Sequence, residues 1–235
     1  MWSDNFLPWF ARQGYISCAL SLRGHGGSLS DKELNYLSVA DYVEDVKACI
    51  ADLTEQGLPE PVLIGHSMGG FVAQKYLEHA FAPAAVLLCA VPPQGLLLSQ
   101  LHLMSARPDL IQELNEIISG GEASLDAIRD MLFAQPVDTA LLKRFRANMQ
   151  IESQRAIWDM SLFNLPLLPR WKRPPLLVLG AEEDLLVPPF LVKATALTYS
   201  QDAKIFPGMG HAITHERGWQ EVTTTIADWL ASLQL

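Results

Sequence analysis

Cysteine is scarce in this chain, with three in 235 residues. Cys18, Cys49 and Cys89 are odd in number and fall in apolar stretches that read as strand or helix. Neither a disulfide framework nor a metal site is indicated, and buried free thiols in a reducing compartment are expected. Charge is also sparse, at 18% of residues, and the 17 Lys and Arg are outnumbered by 26 Asp and Glu. The formal net charge of −9 argues against nucleic acid or an anionic membrane surface as the main partner. Long apolar runs are missing: none approaches the ~18 residues needed to span a bilayer. The opening Met1-Trp2-Ser3-Asp4-Asn5-Phe6-Leu7-Pro8 has neither the basic n-region nor the small-residue cleavage site of a secretory signal. The chain therefore reads as soluble and cytoplasmic, without stable membrane insertion. What is abundant is hydrophobic residues, 49% of the chain, enough for one sizeable core that carries an insertion.

Short apolar strand candidates alternate with amphipathic helices, which predicts an α/β fold with a mostly parallel sheet covered on both faces. Ser3 to Gln13 reads as a helix with Phe6, Trp9 and Phe10 on one side and Gly14 as its stop. Tyr15 to Leu22 reads as a strand, followed by the loop Arg23-Gly24-His25-Gly26-Gly27-Ser28. Ser38 is placed to cap a helix running to about Gln56, in which Val39, Tyr42, Val43, Val46 and Ile50 recur at helical spacing. Further strands are expected at 61–65, 84–89, 176–179 and 203–206, and helices at 71–79, 189–199 and 219–230. Between Gln94 and Arg170 the pattern is helical with no convincing strand, and Pro166, Pro169, Pro174 and Pro175 mark the return. This divides the chain into a core, 1–91 and 171–235, and a helical cap inserted at 92–170.

The densest chemical signal is Gly65-His66-Ser67-Met68-Gly69, directly after Pro61-Val62-Leu63-Ile64 and before a helical stretch. Strand, tight turn and helix in that order expose a serine at the tip of a strained bend. Small residues are expected two positions before and two after it, because side chains there would strike the adjoining strand and helix. The amide of Met68 then opens a helix whose dipole favours a developing oxyanion.

A serine hydroxyl needs a base, and the base needs a group to orient it. Strand 176–179 runs into Gly180-Ala181-Glu182-Glu183-Asp184, and the last strand runs into Pro207-Gly208-Met209-Gly210-His211. Loops at the carboxyl ends of parallel strands are where sites form in such sheets. Ser67, an acid near position 184 and His211 are therefore expected to converge on one rim. Glu182, Glu183 and Asp184 compete for the acid. Among the other histidines, His66 reads as structural, His25 belongs to the glycine loop, and His79 and His102 read as helix-surface or cap residues. His211 and His215 stand four apart, half of a metal site, but no zinc-hydrolase signature accompanies them. Arg23 to Gly27 has the look of a phosphate cradle yet lacks a following Lys-Ser/Thr pair. Neither a metal nor any other cofactor is expected.

With these residues in view, the chain resembles the α/β-hydrolase superfamily, and within it the small capped esterase, lysophospholipase and monoglyceride-lipase type. The resemblance rests on Gly-His-Ser-Met-Gly-Gly at 65–70, Leu-Arg-Gly-His-Gly-Gly-Ser at 22–28, Asp184 before Val187-Pro188, and Gly210-His211. It implies a catalytic triad of Ser67, Asp184 and His211, the acid being selected by its place three residues before the Val-Pro pair. It also implies an oxyanion donor at Met68. Two departures stand out. Ser21 occupies a position where many members carry Asp. The His-Gly loop that supplies the family's second oxyanion donor precedes a segment like 1–14, so that donor has no residue here, and upstream residues are expected.

The resemblance implies hydrolysis of a carboxylic ester, a small-molecule substrate with a small or medium acyl group. Two apolar clusters in the cap suit an acyl chain: Leu96, Leu97, Leu98, Leu101, Leu103 and Met104, and Trp158, Met160, Leu162, Phe163, Leu165, Leu167 and Leu168. Leu97, Leu101, Met104, Trp158 and Leu162 are the substrate-binding candidates. The alternative is that the clusters simply pack the cap on the core. Thioester, C–C bond or perhydrolase chemistry on the same triad stays open, as does a truncated or non-catalytic hydrolase-like protein. Oligomeric state is not legible.

Overall fold

A computed structural model describes residues 2–119, 121, 123–167 and 173–235. Its centre is one sheet of four short strands, β1 (Leu63–His66), β2 (Ala85–Leu88), β3 (Leu176–Ala181) and β4 (Ala203–Phe206), in that spatial order and all parallel. Leu63 pairs with Ala85, Ala85 with Leu176, and Val178 with Ala203. All four carboxyl ends therefore meet on one rim. Parallel neighbours need crossovers, and helices supply them. α1 (Phe6–Arg12) and α2 (Val39–Glu55) precede the sheet, and α3 (Met68–Tyr76) joins β1 to β2. α4 (Leu97–Ala106), α5 (Asp109–Ser119), α6 (Leu125–Leu132), α7 (Thr139–Asn148) and α8 (Gln154–Trp158) lie between β2 and β3. α9 (Pro189–Tyr199) joins β3 to β4, and α10 (Trp219–Ser232) follows.

The period-two alternation of the strands builds two apolar layers. Ala85, Leu87, Leu176 and Val178 pack with Tyr42, Phe71, Tyr76 and Leu191 from α2, α3 and α9. Val86, Leu88, Leu179 and Ala181 turn the other way, onto Phe6 and Phe10 of α1 and Ile226 and Leu230 of α10. Two smaller clusters bind the helices after β2 to the rim: Ile128, Phe133 and Leu142 pack with Ala212, and Leu103, Leu110 and Met131 with Leu185 and Leu186. No helix among the described residues is long and apolar enough to cross a membrane.

Ser38 caps α2 as its position predicts, in a reciprocal box with Asp41: the Asp41 amide donates to Ser38 Oγ at 3.2 Å, and the Ser38 amide to Asp41 Oδ2 at 2.8 Å. The strand expected at 15–22 is not found: among the described residues β1 pairs with β2 alone, and its other edge carries no strand. Among the described residues no hydrogen bond is donated by an amide of 16–22, and Ile16 is 79% exposed. Strand propensity needs a partner row of backbone groups before it becomes a strand. Cys18 is consequently exposed, against the expectation of burial, while Cys49 is intermediate and Cys89 buried. Leu168, Pro169 and Arg170 lie outside the described residues.

Candidate active site

Ser67 sits between β1 and α3 with φ 53° and ψ −122°, a conformation that non-glycine residues reach only when their surroundings impose it. The imposing contacts are unequal. A Cβ on Gly65 would lie 2.5 Å from the Gly69 carbonyl oxygen, and one on Gly70 would lie 2.3 Å from the Ala90 Cβ. Gly69 faces open space. The small residue that the bend requires after the serine is thus Gly70, not the expected Gly69. Met68 is the first residue of α3, so its amide is among the leading helical N–H groups without an intrahelical acceptor.

Asp184 follows β3 and is buried at 2% exposure, whereas Glu182 and Glu183 are exposed. Its Oδ1 accepts the amides of Leu186 at 2.9 Å and Val187 at 2.8 Å. That local loop explains the fixed spacing between the acid and Val187-Pro188. Its Oδ2 lies 2.8 Å from Nδ1 of His211, itself buried after β4. A carboxylate on Nδ1 selects the tautomer that leaves Nε2 as an acceptor.

His66 ties the two ends of the sheet together. Its Nε2–H donates to the His211 carbonyl oxygen at 2.9 Å, and the two rings stand 4.7 Å apart. Burial, reinforced by His211, holds the His66 imidazole down at about 3, so the ring is neutral. The chain neighbour of Ser67 therefore touches the residue that Asp184 orients.

Several contributors are not evident in the sequence. Glu216, buried, accepts the amides of Gly210 at 2.9 Å and Ala134 at 2.5 Å. Burial pushes its carboxyl above the usual range. The Ala212 amide donates to the Leu132 carbonyl at 2.7 Å, so the end of α6 rests directly on the His211 loop. The chain's start does the same from another side: Trp2 packs edge-on to His66, Asn5 donates to the Thr214 carbonyl, and Asp4 faces His215 at 3.0 Å. Cys89, directly after β2, lies in the left-handed region at φ 43°. Its place was readable in principle, since Ser67, Asp184 and His211 also follow strands.

The other sequence candidates go elsewhere. His25 faces Glu152 at 3.3 Å, and the Gly26 amide donates to Gln150 Oε1 at 2.6 Å, fastening the glycine loop to the stretch before α8. That nearby carboxylate raises the His25 pKa. His215 turns to Asp4, His102 packs on Phe190, and His79 is exposed. Leu97, Leu101, Met104, Trp158 and Leu162 are 45–56% exposed, while Leu103 and Met160 are buried in the core. Packing against the core therefore does not account for those five. An open groove of about 660 Å³, lined by Leu34, Ala123, Met149 and Ile151 among others, includes none of them.

A parallel sheet crossed by helices, with a strained serine after one strand and a buried Asp–His pair after two others, is the arrangement of an α/β hydrolase. Residues 1–225 match the model of the alpha/beta hydrolase family, and the chain belongs to that family. No curated protein matches it. Among solved structures, Rv0554 from Mycobacterium tuberculosis is 22% identical with a TM-score of 0.73, over 98% of this chain and 85% of that one. An esterase from Thermogutta terrifontis is 19% identical (TM-score 0.66, 91% and 79%). A bromoperoxidase from Bacillus anthracis is 20% identical (TM-score 0.67, 89% and 79%). At these identities the likeness is one of fold.

Proposed function

We propose that this chain hydrolyses carboxylic esters of small or medium, apolar acyl groups through Ser67, His211 and Asp184. The observation that carries the reading is the 2.8 Å contact between Asp184 Oδ2 and His211 Nδ1, with residue 211 bonded to the neighbour of the strained Ser67. In this mechanism the His211 Nε2 takes the Ser67 proton as Oγ attacks the ester carbonyl. The Met68 amide supports the oxyanion, the imidazolium protonates the departing alcohol, and water repeats the cycle on the acyl-enzyme. Asp184 holds the imidazole and stabilises its charged form without taking the proton. The half-exposed Leu97, Leu101, Met104, Trp158 and Leu162 support an apolar acyl preference, since they offer apolar surface that the core does not use.

The test is labelling by a fluorophosphonate together with a panel of esters of rising acyl length, acyl thioesters and vinylogous diketones. Labelling at Ser67, ester turnover reduced about 10⁴-fold or more by Ser67→Ala, and preference for medium acyl chains support the proposal. Absence of labelling in folded protein would favour a non-catalytic hydrolase-like role. Turnover confined to thioesters or diketones would move the reaction while keeping the triad.

A further inference from the structure

His66, Cys89 and His211 bring one nitrogen, one sulfur and one nitrogen within 4.8 Å of one another at the rim of the sheet. The three come from the ends of β1, β2 and β4, so only the folded sheet assembles them. From this geometry we infer a site for one divalent cation, best fitted by Zn²⁺, whose occupation closes the hydrolytic triad.

Three lines of chemistry converge. First, a thiolate with two neutral imidazoles is the donor set of a zinc site, and it disfavours Mg²⁺ and Ca²⁺, which prefer oxygen. Second, the geometry is near what zinc needs. With the three atoms no more than 4.8 Å apart, some point lies within about 2.8 Å of all of them, so movements of up to roughly 0.5 Å for sulfur and 0.7 Å for nitrogen reach the usual zinc bonds. Third, His211 is already arranged as a metal ligand: Asp184 occupies Nδ1 at 2.8 Å, leaving Nε2, in the carboxylate–histidine–metal pattern. Cys89 is held in place by its own amide, which donates to the Leu179 carbonyl at 2.9 Å, and its backbone lies in the strained left-handed region at φ 43°.

Binding replaces the Cys89 S–H bond with an S–Zn bond and releases the proton to solvent. The fourth position is left to water. The His211 lone pair that would accept the Ser67 proton is then engaged by the metal. Metal binding stands apart from the proposed hydrolase function; only the loss of hydrolysis rests on it.

Co²⁺, which mimics Zn²⁺ and absorbs light, tests the site independently of activity. One equivalent added to the folded chain should give a thiolate-to-cobalt charge-transfer band in the near ultraviolet. Zn²⁺ should displace it, and it should be absent in Cys89→Ser and in His66→Asn. His215→Ala should keep it. In the esterase assay, saturating Zn²⁺ should lower turnover about 100-fold or more, reversed by chelator, and Cys89→Ser should require about 100-fold more Zn²⁺ for the same effect. Circular dichroism confirms that each variant is folded; if Cys89→Ser fails that check, Cys89→Ala takes its place. No charge-transfer band in folded wild-type protein, or a band that survives loss of the thiol, overturns the inference. A band without any effect on hydrolysis would keep the site and overturn its link to the triad.

Discussion

Glu216 accepts the amide hydrogen of Gly210 at 2.9 Å, and the same oxygen accepts that of Ala134 at 2.5 Å. One buried carboxylate thus holds both the residue before His211 and the segment after α6. Gly210 must be bare for this to work, since a Cβ there would lie 2.7 Å from the Ala134 nitrogen.

Glu216→Ala should leave both amides without an acceptor, a loss of about 2–5 kcal/mol in chemical denaturation. Glu216→Gln should retain most of that stability. Burial raises the folded pKa above that of an ordinary glutamate. Its contribution is therefore complete below that value and is lost as pH rises through the folded pKa. Wild type should lose stability relative to Glu216→Gln as pH climbs above the ordinary glutamate range. A pH-independent difference between the two would show that this carboxyl does not titrate differently on folding.

The two glycines after Ser67 should behave oppositely. Gly70→Ala forces a Cβ to 2.3 Å from the Ala90 Cβ, whereas Gly69→Ala meets nothing within 4 Å. Overpacking predicts a loss of about 1–3 kcal/mol for Gly70→Ala. Better helix propensity in α3 predicts a gain of up to about 1 kcal/mol for Gly69→Ala. Thermal melts of the pair decide it, and equal losses would contradict the geometry of the bend.

Asp184→Asn should keep its Oδ1 contacts with the Leu186 and Val187 amides but lose the charged acceptor for His211 Nδ1. If the proposed triad operates, kcat should fall about 10⁴-fold with little change in melting temperature. A decrease of only a few-fold would assign the acid elsewhere.

Cys18 should alkylate with iodoacetamide in the native state, and Cys89 only after unfolding, because the first is exposed and the second buried. Burial, then the nearby Asp184 charge, also push the Cys89 thiol well up and suppress its thiolate. In hydrogen exchange, amides of 16–22 should exchange within seconds while those of β2 are protected. Protection across 16–22 would mean that this stretch has a partner in solution.

Most elements were legible because their signals are local. Ser38 announces the start of α2, Pro189 opens α9, and Gly14, at φ 92°, ends the first helical stretch. Strands at 63–66, 85–88, 176–181 and 203–206 follow from apolar runs between turn residues. Tyr15–Leu22 has the same local character and misleads, since pairing is not a property of the segment. The contacts of Cys89 and Glu216 were illegible for a related reason: their partners stand in other parts of the chain.

By itself the sequence determined most of the helices and the four strands of the sheet, and that a glycine-flanked serine sits on a bend between a strand and a helix. These properties depend on neighbours a few residues away, whose periodicity and sterics are written in order along the chain. Only the tertiary structure decided that Gly70 rather than Gly69 bears the close approach, that Asp184 alone of three adjacent acids is buried against His211, and that Cys89 joins His66 and His211. It also decided that Tyr15–Leu22 stays unpaired. Each depends on side chains and backbone rows carried together by parallel strands, whose helical crossovers place residues far apart in sequence on one rim.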